Sequence, residues 1–349
     1  NCQYTTTLNQ TQIIVSAAKG DNTLLYTKDG INWVGLGTNV FGEQANVVKN
    51  NGTIWVAGGL HSTGLGIPHT LAYSYDGLIW VGNNGSVHSQ ECYDIAYSSD
   101  YWLAIGKVQS TGSLYSLVGS TDGKTWSEIT IVSPTPFFDS TRFTPNGIAY
   151  GGGKWVLFGT NAVTPAQNIY YSTDNGVNWT VASISAPGFT IRAIRGYYNG
   201  SLWVAVGQGT RRLAWSPNGV IWINATGDDF DGLGGTDVFY NGGLWVASGG
   251  GGGGDNKLLY STDGKNWSAG TFSSSAPHIV NSVTYGKLGP WVAGSGDTEY
   301  YYSSDGKTWA DSNGVDVTEA GYMDSAITSS SISPYKCTCS TTGFCTGIN

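Results

Sequence analysis

The phrase Asp-Gly-x-x-Trp recurs along the whole chain, and that recurrence constrains the fold more than any other feature. YTKDGINW ends at Trp33, YSYDGLIW at Trp80, GSTDGKTW at Trp126, YSTDNGVNW at Trp179, WSPNGVIW at Trp222, YSTDGKNW at Trp267 and YSSDGKTW at Trp309, with 42 to 53 positions between successive tryptophans. A second phrase precedes each copy: IIVSAAKG from Ile13, IWVAGG from Ile54, YWLAIG from Tyr101, KWVLFG from Lys154, LWVAVG from Leu202, LWVASG from Leu244 and PWVAGSG from Pro290. Seven copies at one period describe a repeat protein, in which each unit buries its apolar face against its neighbours.

Each unit reads as strand A, a turn, strand B carrying WVAxG, a variable loop, strand C carrying LxYS, the Asp-Gly turn, and strand D starting at the tryptophan. Short runs rich in Val, Ile, Tyr and Trp between Gly/Asn/Asp turns form antiparallel meanders. Four strands per unit at a period of about 40 to 50 residues is the signature of a propeller blade. The expectation is therefore an all-β, seven-bladed β-propeller over residues 1–330 with a short Cys-containing tail over residues 331–349. The ends support it: unit one has little chain for a strand A, whereas YMDSAIT from Tyr322 follows the last unit with no WVA phrase after it. Pairing of residues 322–328 with residues 12–18 would close the ring and remove its open edges. Composition agrees, since 52 Gly, 14 Trp and 21 Tyr against one Met in 349 residues disfavour helices.

The repeated carboxylate has a structural explanation. Asp29, Asp76, Asp122, Asp174, Asp263 and Asp305 can accept the backbone N–H groups of their own turns, and Asn218 in unit five can do the same. The glycine supplies a positive φ, and Trp33, Trp80, Trp126, Trp179, Trp222, Trp267 and Trp309 can lie between adjacent sheets. One carboxylate per blade on an outer hairpin does not converge on a common centre. These residues are similar to the Asp-box, or BNR, repeat family: residues 171–179 carry the full Ser-x-Asp-x-Gly-x-x-Trp spacing, and the other copies are one residue shorter between Asp or Asn and Gly. The resemblance covers roughly residues 12–328 and implies a propeller of the sialidase-like kind. The family includes sialidases and other glycoside hydrolases, glycan-binding modules, sorting receptors and a photosystem assembly factor, so it implies no single activity.

The catalytic set of a sialidase does not fit. The resemblance would require three arginines around a carboxylate, and this chain has only Arg142, Arg192, Arg195, Arg211 and Arg212, none in the first three units. Another glycosidase needs two carboxylates flanking the scissile bond, and Asp94, Asp237 and Asp324, near the starts of A strands, could approach the axis. Arg192, in phase with Ile194, could hold an anionic ligand there. No catalytic residue is assigned. Asp228, Asp229 and Asp231 could ligate Ca²⁺, without helix-loop-helix spacing, and His61, His69, His88 and His278 lack zinc-site spacing. The run Gly249 to Gly254 has neither a following helix nor GK[ST], and so reads as a B–C connection rather than a phosphate loop.

A net charge of -8 with scattered cations excludes a nucleic-acid face, and no apolar run is long enough to span a membrane. Cys2, Cys337, Cys339 and Cys345 cluster at the ends, which points to a disulfide tying the tail to the joined termini and leaves Cys92 as the free thiol. Sequons stand at Asn9, Asn51, Asn84, Asn178, Asn199, Asn224 and Asn266. With an opening Asn1 compatible with a cleaved leader, these features lead us to expect an extracellular, secreted or cell- or virion-surface protein. The expected role is a non-catalytic binding or assembly module for a glycan or surface protein, using the A–B and B–C connections. The alternatives are an axial glycoside hydrolase and a self-assembling subunit of a filament or coat.

Overall fold

The computed structural model describes residues 10–61, 69–83, 88–108, 115–134, 142–161, 167–185, 188–254, 256–296, 299–312 and 319–329. Cys2, Asn9, Asn84, Cys337, Cys339 and Cys345 lie outside them. The described residues form seven sheets, four of four strands and three of five, and no helix. No helix among them is therefore long and apolar enough to cross a membrane.

The protein is a seven-bladed β-propeller. Blade 2 shows the pattern, with strand A at Ala45–Asn50, B at Trp55–Gly59, C at Leu71–Ser74 and D at Val81–Gly82, paired in that order. Blade 1 is shared between the ends of the ring. Its strands B, C and D are Gln10–Lys19, Leu24–Thr27 and Trp33–Gly35, and its strand A is Glu319–Ser329, antiparallel to B from Gln10 opposite Ser329 to Lys19 opposite Glu319. The strands at the two ends thus close the ring.

Strand A of each blade lies innermost, and antiparallel alternation sorts the connections between two faces. The A–B turns and the Asp-Gly C–D turns share one face, here called the turn face. The B–C and D–A connections share the other, the loop face. The A–B connections are tight turns, for example residues 51–54 and 98–101. This corrects the expectation that the A–B connections are irregular: the longer segments between strands are mostly the B–C and D–A ones.

The core lies between blades. Strand-B tryptophans Trp55, Trp102, Trp155, Trp203, Trp245 and Trp291 are all buried. The tyrosine ending strand A packs on the tryptophan beginning strand B, at centroid distances of 4.5 Å for Tyr97–Trp102, 4.8 Å for Tyr150–Trp155 and 5.1 Å for Tyr198–Trp203. Such pairs, which recur in blades 3 to 7, fit aromatic geometry and give those blades an apolar lock beside the turn.

At the C–D turns, Asp29 Oδ1 accepts the N–H groups of Ile31 and Asn32, both at 2.8 Å, and Gly30 takes φ 76°. The same bonds recur at Asp76, Asp122, Asp263 and Asp305. Asn218 makes them at 2.9 and 3.0 Å. In blade 4 the turn is one residue longer, so Asp174 reaches Asn178 instead, and Asn175 takes the extra positive φ, 54°. Burial pushes the Asp29 carboxyl up, but the Asn32, Ile31 and Thr27 hydrogen bonds outweigh it and hold it down at about 2.

Candidate functional site

The axis is built from seven A strands, and each of them carries a β-bulge. Register slips between Ala45 and Val47, Cys92 and Asp94, Pro145 and Gly147, Ala193 and Arg195, Gly235 and Asp237, and Val280 and Ser282, and in the closing pair opposite Ser16 and Ala18. A bulge turns the following side chain out of the simple alternation. In blade 5 it brings Arg195 to the axis as well as Arg192, which lies at the loop-face end of the same strand.

The post-bulge residues join blades. Asp94 Oδ1 accepts its own strand's Ile95 N–H at 2.9 Å, and its Oδ2 accepts Ile148 N–H of blade 4 at 2.9 Å. Asp237 does likewise, with Val238 N–H at 2.9 Å and Val283 N–H of blade 7 at 3.1 Å. Arg195 Nη1 then donates to Asp94 Oδ1 at 2.6 Å, spanning blade 4 altogether. The span needs Gly147, because a Cβ there would sit 2.3 Å from Ile194 O and 3.3 Å from Asp94 Oδ2. The bulged residues add bonds between blades 2 and 3, 4 and 5, and 6 and 7: Asn46 Nδ2 donates to Cys92 O at 2.8 Å, Asn146 Nδ2 to Ala193 O at 2.9 Å, and Thr236 Oγ1 to Val280 O at 2.6 Å.

Two bowls open along the axis, and Arg195 borders both as their partition. The turn-face bowl, about 700 Å³, has Asp94, Arg195 and Asp237 at depth, Lys49 and Lys287 around them, and Tyr97, Tyr150, Tyr198, Tyr240 and Tyr285 at its wall. The loop-face bowl, about 440 Å³, carries Lys19, Gln44, Asn46, Glu91, Asn146, Arg192, Gln208 and Asn281, with Tyr93 among them. Arg192 Nε donates to Gln208 Oε1 at 3.0 Å, and Asn46 Nδ2 to Glu91 Oε1 at 2.8 Å, so this bowl presents an oriented polar network. Asp324 pairs with Val15, the register position that Lys49 holds opposite Val56 in blade 2; it belongs to the innermost strand of blade 1.

Burial pushes the Asp237 carboxyl up to about 6, against the opposing pull of Arg195 and Lys49. Such a shift is common in catalytic groups, yet both oxygens of Asp237 are held by backbone N–H groups, as are both of Asp94. His88 is fully buried, with Nδ1 2.8 Å from Ser116 Oγ, and burial pushes it down to about 3. Cys92 is free and buried, its thiol pushed well above the ordinary range by burial and by Asp94 and Glu91.

Other motifs resolve locally. Asp228 Oδ2 accepts Ala269 N–H, Asp229 pairs with Arg212 at 3.3 Å, and Asp231 Oδ2 accepts Asn256 N–H, so the three carboxylates serve different partners. No group of three His, Cys, Asp or Glu side chains that could hold a metal occurs among the described residues. The glycine run is a close-packing device: a Cβ at Gly249 would lie 2.3 Å from Gly234 O, and one at Gly254 would lie 2.2 Å from Asp231 Oδ2. Of the described sequons, Asn178 and Asn266 are exposed and donate Nδ2 to Asp174 and Asp263. Asn51 and Asn199 accept turn N–H groups, and Asn224 N–H is held by Ser185 Oγ.

No protein-family model and no curated protein matches the chain. Among solved structures, the chain is similar to the computationally designed Ika8 protein, at 12% identity and a TM-score of 0.52 over 89% of this chain and 86% of that one. It is also similar to YCF48 bound to D1 peptide, at 17% identity and 0.49 over 76% and 80%, and to YCF48 from Cyanidioschyzon merolae, at 12% and 0.42 over 68% and 71%. At these identities the likeness is one of fold. The class that fold and site define is a closed seven-bladed propeller with a partitioned axis.

Proposed function

We propose that the protein is a non-catalytic binding module that recognises a glycan or the polar surface of another protein in its loop-face bowl. One observation carries the reading: all four carboxylate oxygens of Asp94 and Asp237 are engaged by strand-A N–H groups. A glycosidase requires one carboxyl to deliver a proton and another to attack or activate water, whereas these two join neighbouring blades. The loop-face bowl instead combines carboxamides, a guanidinium, a lysine and a carboxylate beside Tyr93, the mixture that orients hydroxyl- and amide-rich ligands. On the same reading the chain belongs with the Asp-box propellers and acts outside the cell or at a cell or virion surface. It carries Asn-linked glycans, and a disulfide secures the tail to Cys2. Its sequons and end-clustered cysteines support that setting, and intact mass with and without glycosidase and reductant tests it.

The binding site is tested by a glycan array together with pull-downs from native surface material, using the full chain and the variant Arg192→Ala/Gln208→Ala. The expected result is a ligand whose affinity falls at least about tenfold in the variant, or about 1.4 kcal/mol. No ligand by either method, or equal binding by both proteins, overturns the proposal.

A further inference from the structure

The outer edges of the blades are treated unequally, and the difference defines a second surface. In blades 5, 6 and 7 the chain leaving the preceding blade adds a short parallel strand outside strand D: Ser183–Ile184, Thr226–Gly227 and Thr271–Phe272. The bonding is the same each time. Ser183 N–H donates to Val220 O and Ser185 N–H to Trp222 O, both at 2.9 Å. Thr226 and Asp228 N–H donate to Lys265 and Trp267 O, and Thr271 and Ser273 N–H to Lys307 and Trp309 O. Blade 4 has a shorter version, with Val132 N–H on Val177 O and Trp179 N–H on Ser133 O, both at 2.8 Å.

In blades 5 and 6 the third residue of the added segment supplies a side-chain acceptor as well. Ser185 Oγ takes Asn224 N–H at 3.0 Å, and Asp228 Oδ2 takes Ala269 N–H at 2.9 Å. The molecule thus displays its own ligand pattern: Ser or Thr, any residue, then Ser or Asp, in extended form.

Blade 2 has no such strand among the described residues. The connection that would supply it, residues 36–44, is described throughout and folds back on blade 1: Thr23 N–H donates to Gly37 O, Thr23 Oγ1 to Phe41 O, and Gly20 N–H to Glu43 O. The edge left beside residues 78–82 is apolar, with Ile79 73%, Tyr75 65% and Val81 48% exposed. Trp80 is half-buried, whereas the other six turn tryptophans, Trp33, Trp126, Trp179, Trp222, Trp267 and Trp309, are buried. An exposed apolar edge is a template for strand addition.

We propose that this edge of blade 2 docks an extended segment of a partner protein carrying Ser/Thr-x-Ser/Asp, added as a parallel strand beside residues 78–82. By register with the covered blades, its N–H groups bond Leu78 and Trp80 carbonyls, and its final side chain accepts Gly82 N–H. The surface is separate from both axial bowls, so its failure leaves the proposed bowl function untouched.

The test is hydrogen exchange by mass spectrometry on the full chain with the capped synthetic peptide Gly-Thr-Phe-Ser-Ser-Ser at millimolar concentration. The expected result is saturable protection of residues 78–83 with a Kd on the order of 1 mM. Protection should fall at least about tenfold in Ile79→Lys/Val81→Lys, whose replaced side chains are exposed and whose folding is checked by thermal unfolding; Ile79→Lys alone should weaken it less. Absence of protection there, equal protection in the double variant, or equal protection by a scrambled peptide overturns the proposal. A concentration-dependent dimer that the double variant abolishes would give the edge to a second copy and likewise overturn it.

Discussion

At the scale of single residues, the molecule separates carboxylates by what their oxygens hold. Asp263 Oδ1 accepts Lys265 and Asn266 N–H at 2.8 Å and its Oδ2 accepts Asn266 Nδ2. Asp263→Asn, the substitution already present as Asn218, keeps the turn acceptors and is expected to cost under about 0.5 kcal/mol, whereas Asp263→Ala should cost about 1 to 2 kcal/mol in urea unfolding. Two groups have opposite pH signatures. His88, near 3 when folded and about 6.5 when unfolded, leaves the native state fully stabilised above about pH 6.5 and progressively weaker as pH falls toward 3. Asp237, near 6 folded and about 3.9 unfolded, favours the native state below about pH 4 and loses that contribution as pH rises to 6. Unfolding free energies over this range should therefore fall less steeply on acidification in His88→Gln than in the parent protein; identical pH slopes would contradict the buried neutral imidazole.

At the scale of elements, the strand-A bulge is the decisive device. Removing Arg195 leaves the Asp94 carboxylate buried without its guanidinium, so Arg195→Met should lose about 3 to 5 kcal/mol, and Asp94→Asn/Arg195→Met should lose less than the sum of the single changes. Additive losses in denaturant unfolding would contradict the clasp across blade 4. The blades themselves were legible in sequence, because WVAxG and the Asp-Gly turns carry strand period and turn chemistry in every copy, and the surplus strand near Tyr322 forecast the closure. The axis was less so. Alternation places Arg192 in phase with Ile194, and both line the loop-face bowl, but the bulge between Ala193 and Arg195 turns Arg195 inward as well, and no local propensity announces it. In sequence Gly147 is one glycine among 52, and only the approach of Ile194 O and Asp94 explains it. The added strands of blades 5 to 7 are two residues long, too short for any periodicity to reveal.

At the scale of the whole molecule, closure and stitching make one ring of seven separate inter-blade cores. A chain ending at residue 318 would lack Glu319–Ser329 and expose the Gln10–Lys19 edge. Light scattering should show it self-associating, with lower thermal stability than the full chain; a monomer of unchanged stability would contradict closure by that pair. The same stitching bears on function, since the carboxylates that best resemble a catalytic pair are bonded into the ring. The most direct test is a panel of chromogenic glycosides assayed from pH 4 to 8 with the full chain and with Asp94→Asn and Asp237→Asn. Release no greater than background for all three proteins is the predicted result, and release by the full chain that either substitution abolishes would contradict it.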